Sequence, residues 1–208
     1  MRDWLVAWTS RNLGRIAHDF EEEAQAVAHL EESLRLTRRI GDTRGIALSL
    51  HYLGVLLVDS QPAQGQEYLA ESIGLFRTIG DRRGLAWALH YLALVSVALG
   101  DIETALGAET ESLTVRVELG DKRGIAESLE GHAIILTQQG NAEAAIRVFA
   151  AAATLRETIS APGAPADRQR AKVYLDLAIA AAGPRAEAAA WREGEVNTIE
   201  DVVAGLPR

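Results

Sequence analysis

The sequence predicts an all-α, right-handed α-solenoid of helix pairs, and three observations predict it. One stretch recurs at a nearly fixed period: Ile-Gly-Asp-Thr-Arg-Gly-Ile-Ala from Ile40, Ile-Gly-Asp-Arg-Arg-Gly-Leu-Ala from Ile79 and Leu-Gly-Asp-Lys-Arg-Gly-Ile-Ala from Leu119, in steps of 39 and 40 residues. Self-similarity at such a period is the mark of stacked supersecondary units. Between the copies, apolar residues recur with the i, i+3, i+4, i+7 spacing of one helix face. None of the five prolines falls between residues 63 and 161, where a proline would break a helix interior.

The repeated stretch reads as a helix junction. Gly41, Gly80 and Gly120 stand where one apolar pattern stops, and glycine reaches the left-handed backbone that closes a helix. Asp42, Asp81 and Asp121 follow at once; aspartate accepts hydrogen bonds from the free amides of the next helix and suits its positive end. Gly45, Gly84 and Gly124 then fall in the first turn of the new helix. Glycine costs stability there, so close packing against the preceding helix is the expected reason. A phosphate-binding glycine loop would need a strand before it and Gly-Lys-Ser/Thr after it, and the sequence has neither.

In chain order, residues 3–19 and 21–40 form the first pair, with Leu5, Ala7, Leu13 and Ile16, then Ala26, Leu30, Ser33 and Leu34, as face residues. Asp42 to about Ser60 and Pro62 to Ile79 form the second, Asp81–Leu99 and Asp101–Leu119 the third, and Asp121–Gln139 and Asn141–Ile159 the fourth. Four units thus span 3–40, 42–79, 81–119 and 121–159, filling residues 1–160. Ser33, Ser72 and Ser112 recur in the second helices at the same step, and no base accompanies them, so they read as small residues at a helix crossing. Ser-Ala-Pro-Gly-Ala-Pro at 160–165 breaks the array, and residues 161–208 are expected to cap its last apolar face. The cap comprises a helix over 166–182 closed by Gly183-Pro184, a short helix over 185–193 carrying Trp191, and a last helix. That last helix is opened by a capping box at Thr198-Ile-Glu-Asp, with Ile199, Val202, Val203 and Leu206 on one face.

Leu13-Gly14, Leu53-Gly54 and Leu92-Ala93 resemble the Leu-Gly step in the first helix of the tetratricopeptide repeat. Ala26, Ala105 and Ala145 resemble the alanine that opens its second helix, followed four residues on by Leu30 and Phe149; Gly65 and Glu109 depart from the pattern. The resemblance implies four tetratricopeptide-like pairs with a period of about 40 rather than the usual 34 residues. The tail from Trp191, Trp-Arg-Glu-Gly-Glu-Val-Asn-Thr-Ile-Glu-Asp-Val, resembles the ending of bacterial LuxR-type and related signal-transduction ATPase regulators, whose C-terminal half is a tetratricopeptide sensor. The ATPase motifs and the helix-turn-helix of that family are absent from the sequence. The resemblance therefore implies a regulatory recognition module, either part of such a regulator or a stand-alone relative.

Composition narrows the functions further. A net charge of -8 without a basic cluster argues against direct nucleic-acid binding. The absence of cysteine excludes disulfides and thiolate chemistry. The N-terminal stretch opens a helical pattern and is not a signal peptide, and the longest apolar run, Tyr91 to Leu99, is too short to span a bilayer, so no membrane partner and a cytoplasmic location are expected. Nineteen of the 21 basic residues are arginine, which with the alanine and glycine content suggests a GC-rich bacterial genome. No metalloprotease, nucleophile-elbow or kinase signature occurs; Glu21 to Glu23 read as a solvated helix start. An enzyme is not expected, nor a cofactor.

In a tetratricopeptide array the first helix of each pair lines the concave face. Repeat register places Trp8, Arg11, Arg15 and His18 there from the first pair, and Leu48, His51, Val55 and Val58 from the second. The third pair supplies Trp87, His90, Leu94 and Val97, and the fourth Glu127, Glu130, Ile134 and Thr137. The candidate groove therefore runs from basic through apolar-aromatic to acidic, a wall suited to a peptide or protein partner. The residues expected to carry binding are Trp8, Arg11, Arg15, His51, Val55, Trp87, His90, Leu94, Glu127 and Glu130. The bland alternative is that the rings only fill space between long helices. His51 and His90 are 39 residues apart, but His132 is out of register, so a metal site is not expected. Alternatives to peptide recognition are a small-effector sensor with an enclosed pocket around Trp8, Trp87, His51 and His90, and a structural dimerisation scaffold. Trp4 and Leu5 stand where the other repeats have Arg44 and Gly45, and such an apolar end is expected to make a homodimer.

Overall fold

The structure, a computed structural model, describes residues 2–19, 23–196 and 199–206. Its helices are α1 Arg2–Asp19, α2 Glu23–Ile40, α3 Thr43–Leu56, α4 Pro62–Ile79, α5 Arg82–Ala98, α6 Ile102–Glu118, α7 Lys122–Gln138, α8 Ala142–Thr158, α9 Pro165–Ala182, α10 Pro184–Val196 and α11 Ile199–Gly205. Among the described residues there is no strand. Neighbouring helices pack consecutively, as in an α-solenoid, within two compact units, Met1–Gly100 and Asp101–Arg208. None of the described helices is long and apolar enough to cross a membrane.

In the first unit α1 packs on α2, α2 on α3, α3 on α4 and α4 on α5, while α1 also meets α3 and α3 meets α5. The odd helices therefore form one layer and α2 and α4 another. Ala26, Leu30 and Leu34 of α2 interlock with Leu50, Leu53 and Leu56 of α3, edged by Val27, Ile46, Tyr52, Tyr68 and Leu75. Each leucine taken fully out of water stabilises this core by roughly 1.5–3 kcal/mol. Leu30 closes directly on Gly14 of α1, and Leu69 of α4 on Gly54 of α3, where an added Cβ would lie 2.7 Å and 2.5 Å from the leucine Cγ.

The junction chemistry is as the repeated stretch leads one to expect. Gly80 ends α4 at φ 70°, and the amide of Asp81 reaches back to the Phe76 carbonyl at 3.0 Å. The Asp81 carboxylate accepts from the Gly84 amide at 2.9 Å. Asp42 and Asp121 do the same for Gly45 and Gly124. The first-turn glycines each face the residue that sits last on the preceding helix's inner face. A Cβ on Gly84 would meet the Phe76 ring, with Cδ1 at 2.6 Å; on Gly45 it would meet Thr37 Cγ2 at 2.6 Å, and on Gly124 the Arg116 Cδ at 2.9 Å.

The serines fasten the same crossings. Ser33 Oγ donates to the Ala7 carbonyl and lies 2.9 Å from Ser49 Oγ, and Ser72 donates to the Ala47 carbonyl at 2.8 Å. Ser112 and Ser128 repeat the pairing between α6 and α7 at 3.3 Å. All five are fully buried, and a buried hydroxyl needs such a partner.

Helix α3 ends four residues before the expected Ser60. Pro62 is the first residue of α4, and the residue before a proline is steered away from helical backbone; Gln61 sits at φ -142°, ψ 65°. The chain turns through Leu57 and Val58, which stay buried.

In the second unit α6 packs on α7, α7 on α8, and α9 on both α7 and α8. Helix α10 leaves the pair pattern: its main contact is α8 rather than α9. Gly194 permits that contact, since a Cβ there would strike the Arg147 carbonyl and approach the Ala150 Cβ to 2.6 Å. Trp191 is half-buried and donates from Nε1 to Glu195 at 2.9 Å. Val202 and Leu206 of the last segment are buried and, with Leu136, Ala144 and Val148, line a crevice of about 210 Å³. Thr198 and the side chain of Ile199 lie outside the described residues.

Candidate functional site

The first unit brings together a cluster of rings on α3 and α5. His51 stacks on Trp87 with ring centroids 6.3 Å apart and planes 25° from parallel. Tyr91 meets His51 edge-on at 5.6 Å and His90 edge-on at 5.2 Å, and Tyr52 meets His51 at 5.2 Å. This follows from the repeat: positions one period apart fall on adjacent odd helices at one height, so His51 and His90 form one row and Tyr52 and Tyr91 the next. Both imidazoles are buried, whereas Trp87 keeps part of its surface in solvent. The tyrosines were not among the expected site residues. Their signal was the same 39-residue spacing, one position beyond the histidines.

Helix α1 extends the row with Arg11. The guanidinium is half-buried, and burial pushes its pKa down against the opposing fields of Tyr52 and Asp42, with Arg44 adding to the fall. Burial thus outweighs the fields that favour the charged form, and an arriving carboxylate would be favoured beside it. Trp8, one turn away, is 49% exposed. Val55 is half-buried and Leu94 buried. The side chain of Arg15 lies outside the described ones.

Glu127 and Glu130 belong to the second unit, where both make internal ion pairs. Arg116 of α6, 1% exposed, places Nη2 3.3 Å from Glu127, which also meets Arg123 at 3.6 Å. Arg116 Nη1 donates to the Gly124 carbonyl and to Ser128 Oγ at 3.0 Å. Arg156 of α8 grips Glu130 with two hydrogen bonds of 2.6 and 2.7 Å. Burial pulls the Arg156 pKa down, but the hydrogen bonds and charge of Glu130 outweigh it and leave it above its ordinary value. Thr37, Phe76, Arg116 and Arg156 share one register, so these arginines occupy the place that holds an aromatic ring in α4. Glu109, in the register of Leu30, Leu69 and Phe149, is fully buried against Gly131.

The first unit therefore offers aromatic faces and a half-buried cation, and the second offers carboxylates engaged by arginines. No group of three or more His, Asp or Glu among the described residues is placed to hold a metal ion.

A family model described as anaphase-promoting complex subunit 5 matches residues 8–60 and 63–139, more than half of the chain. The chain belongs to that family. The family match takes in the whole ring cluster, Arg11, and the arginine–glutamate pairing of Arg116 with Glu127. Its break at residues 61 and 62 coincides with the proline junction between α3 and α4. No curated protein matches the chain.

Proposed function

We propose that this protein is a non-enzymatic recognition module that holds a peptide or protein partner against the odd helices of its first unit. The observation that carries the reading is the ring cluster of His51, Trp87, Tyr91 and His90, joined in the row by Arg11. The part-exposed Trp87 and Tyr91 rings and the half-buried Arg11 guanidinium suit an extended peptide with apolar and acidic side chains. The family name, that of a subunit of a protein complex, supports a part that works by contact with other proteins.

The helix pairs are tetratricopeptide-like in this reading. Closure of Leu30 on Gly14 and of Leu69 on Gly54 supports it, because the Leu-Gly step of that repeat exists to admit such a neighbour. The arginine-rich composition and the tail sequence around Trp191 support a place in or beside a bacterial LuxR-type regulator, working in the cytoplasm.

The test is selection from a displayed random peptide library on wild-type protein and on Trp87→Ala. The expected result is a family of acidic, apolar peptides recovered on the wild type and lost on the variant. Recovery of the same peptides on both would refute the site, and recovery of none would refute peptide recognition.

A further inference from the structure

Helix α1 carries an apolar face that no described helix covers. Trp4, Leu5, Val6, Trp8, Leu13 and Ile16 are 42 to 51% exposed, although Ala7 and Gly14 on the opposite side are buried in the fold. Exposed apolar side chains in such density on one helix mark an interaction surface.

The repeat shows what kind of surface it is. Leu5, Thr9 and Ile16 stand in the register of Gly45, Ser49 and Leu56 of α3. Gly45 faces Thr37 of α2, and Ser49 faces Ser33 of α2. The face of α1 is thus the one that α3 turns toward its preceding helix. Yet a helix set at the distance of α2 would not fit here. At Gly45 even a bare Cβ would lie 2.6 Å from Thr37, and α1 has a leucine at that position. The occupant must stand further off and meet large side chains with large side chains.

The order of residues along α1 names that occupant. Leu5, Thr9, Asn12 and Ile16 form a seam with steps of four, three and four, the spacing of a helix–helix contact. The seam is a palindrome in chemical type about the middle of the helix Arg2–Asp19. Turned end for end, a second α1 sets Leu5 against Ile16 and the small polar Thr9 against Asn12 at the centre. A two-fold contact requires this self-complementarity, since each residue must find its partner's counterpart twice. We propose that α1 is a homodimerisation helix, packing antiparallel on the α1 of a second copy with Leu5 opposite Ile16 across the two-fold.

The experiment measures mass in solution by light scattering for wild type, Leu5→Glu, Ile16→Lys and a mixture of the two variants, with circular dichroism confirming helix content. Wild type should run at twice 22.4 kDa. Each variant alone should dissociate, its dimer weakened by about tenfold or more. The mixture should dimerise again at low salt, because one apolar contact remains and the new carboxylate faces the new ammonium. A monomeric wild type overturns the proposal and leaves the face to a helix of another protein. A dimer indifferent to both substitutions places the contact elsewhere. Dissociation without recovery in the mixture rules out the antiparallel register.

Discussion

At the scale of single residues, the glycines separate into those that make room and those that do not. Gly84 meets the Phe76 ring, so Gly84→Ala should overpack the α4–α5 crossing and cost about 1–3 kcal/mol in chemical denaturation. Gly74, inside α4 with nothing within 4 Å, should behave oppositely, and Gly74→Ala should stabilise by about 0.5–1 kcal/mol. Arg116 fills the Phe76 register while holding Glu127, Ser128 and the Gly124 carbonyl. Arg116→Ala should cost about 3 kcal/mol, and Arg116→Phe distinctly less, because the ring refills the volume. Asp101 caps α6 by accepting from Thr104, whose side-chain and backbone hydrogen bonds hold its carboxyl below the usual aspartate pKa. A depressed folded pKa adds stability that is present above the ordinary aspartate range and is lost as pH falls through the folded value. Denaturation followed against pH should show this acid limb in the wild type and a flatter one in Asp101→Asn.

At the scale of elements, what could be read from sequence was what local chemistry decides. The Gly-Asp junctions were legible because the closing glycine, the capping aspartate and the first-turn glycine act within six residues of one another. The serine crossings and the histidine row were legible because a fixed period converts sequence spacing into spatial adjacency. The engagement of Glu127 and Glu130 was not, because their partners Arg116 and Arg156 come from neighbouring helices and look, in sequence, like ordinary surface arginines. Only their shared register with Phe76 marks them as inward-facing. Nor was the path of α10: nothing local says that a helix after Gly183-Pro184 returns to α8 rather than pairing with α9. Gly194 is the residue that permits it. Gly194→Val should lift α10 from α8 and speed amide hydrogen exchange along both, leaving α3 to α5 unchanged.

At the scale of the whole molecule, the proposed function and the proposed dimer give different work to surfaces built on one repeat. In those proposals the rings of α3 and α5, with Arg11 of α1, receive a partner and the outer face of α1 receives a second copy, whereas the carboxylates of α7 form ion pairs within their own unit. Recognition of a partner at the rings is the first of these. It is tested most directly by titrating a library-selected peptide into wild type, Trp87→Ala and Glu130→Gln by calorimetry. Trp87→Ala should weaken binding by about tenfold or more, as loss of a central aromatic contact does. Glu130→Gln should lower thermal stability through loss of the Arg156 fork and leave the affinity unchanged. Equal affinity for wild type and Trp87→Ala, or a loss of affinity confined to Glu130→Gln, would contradict it.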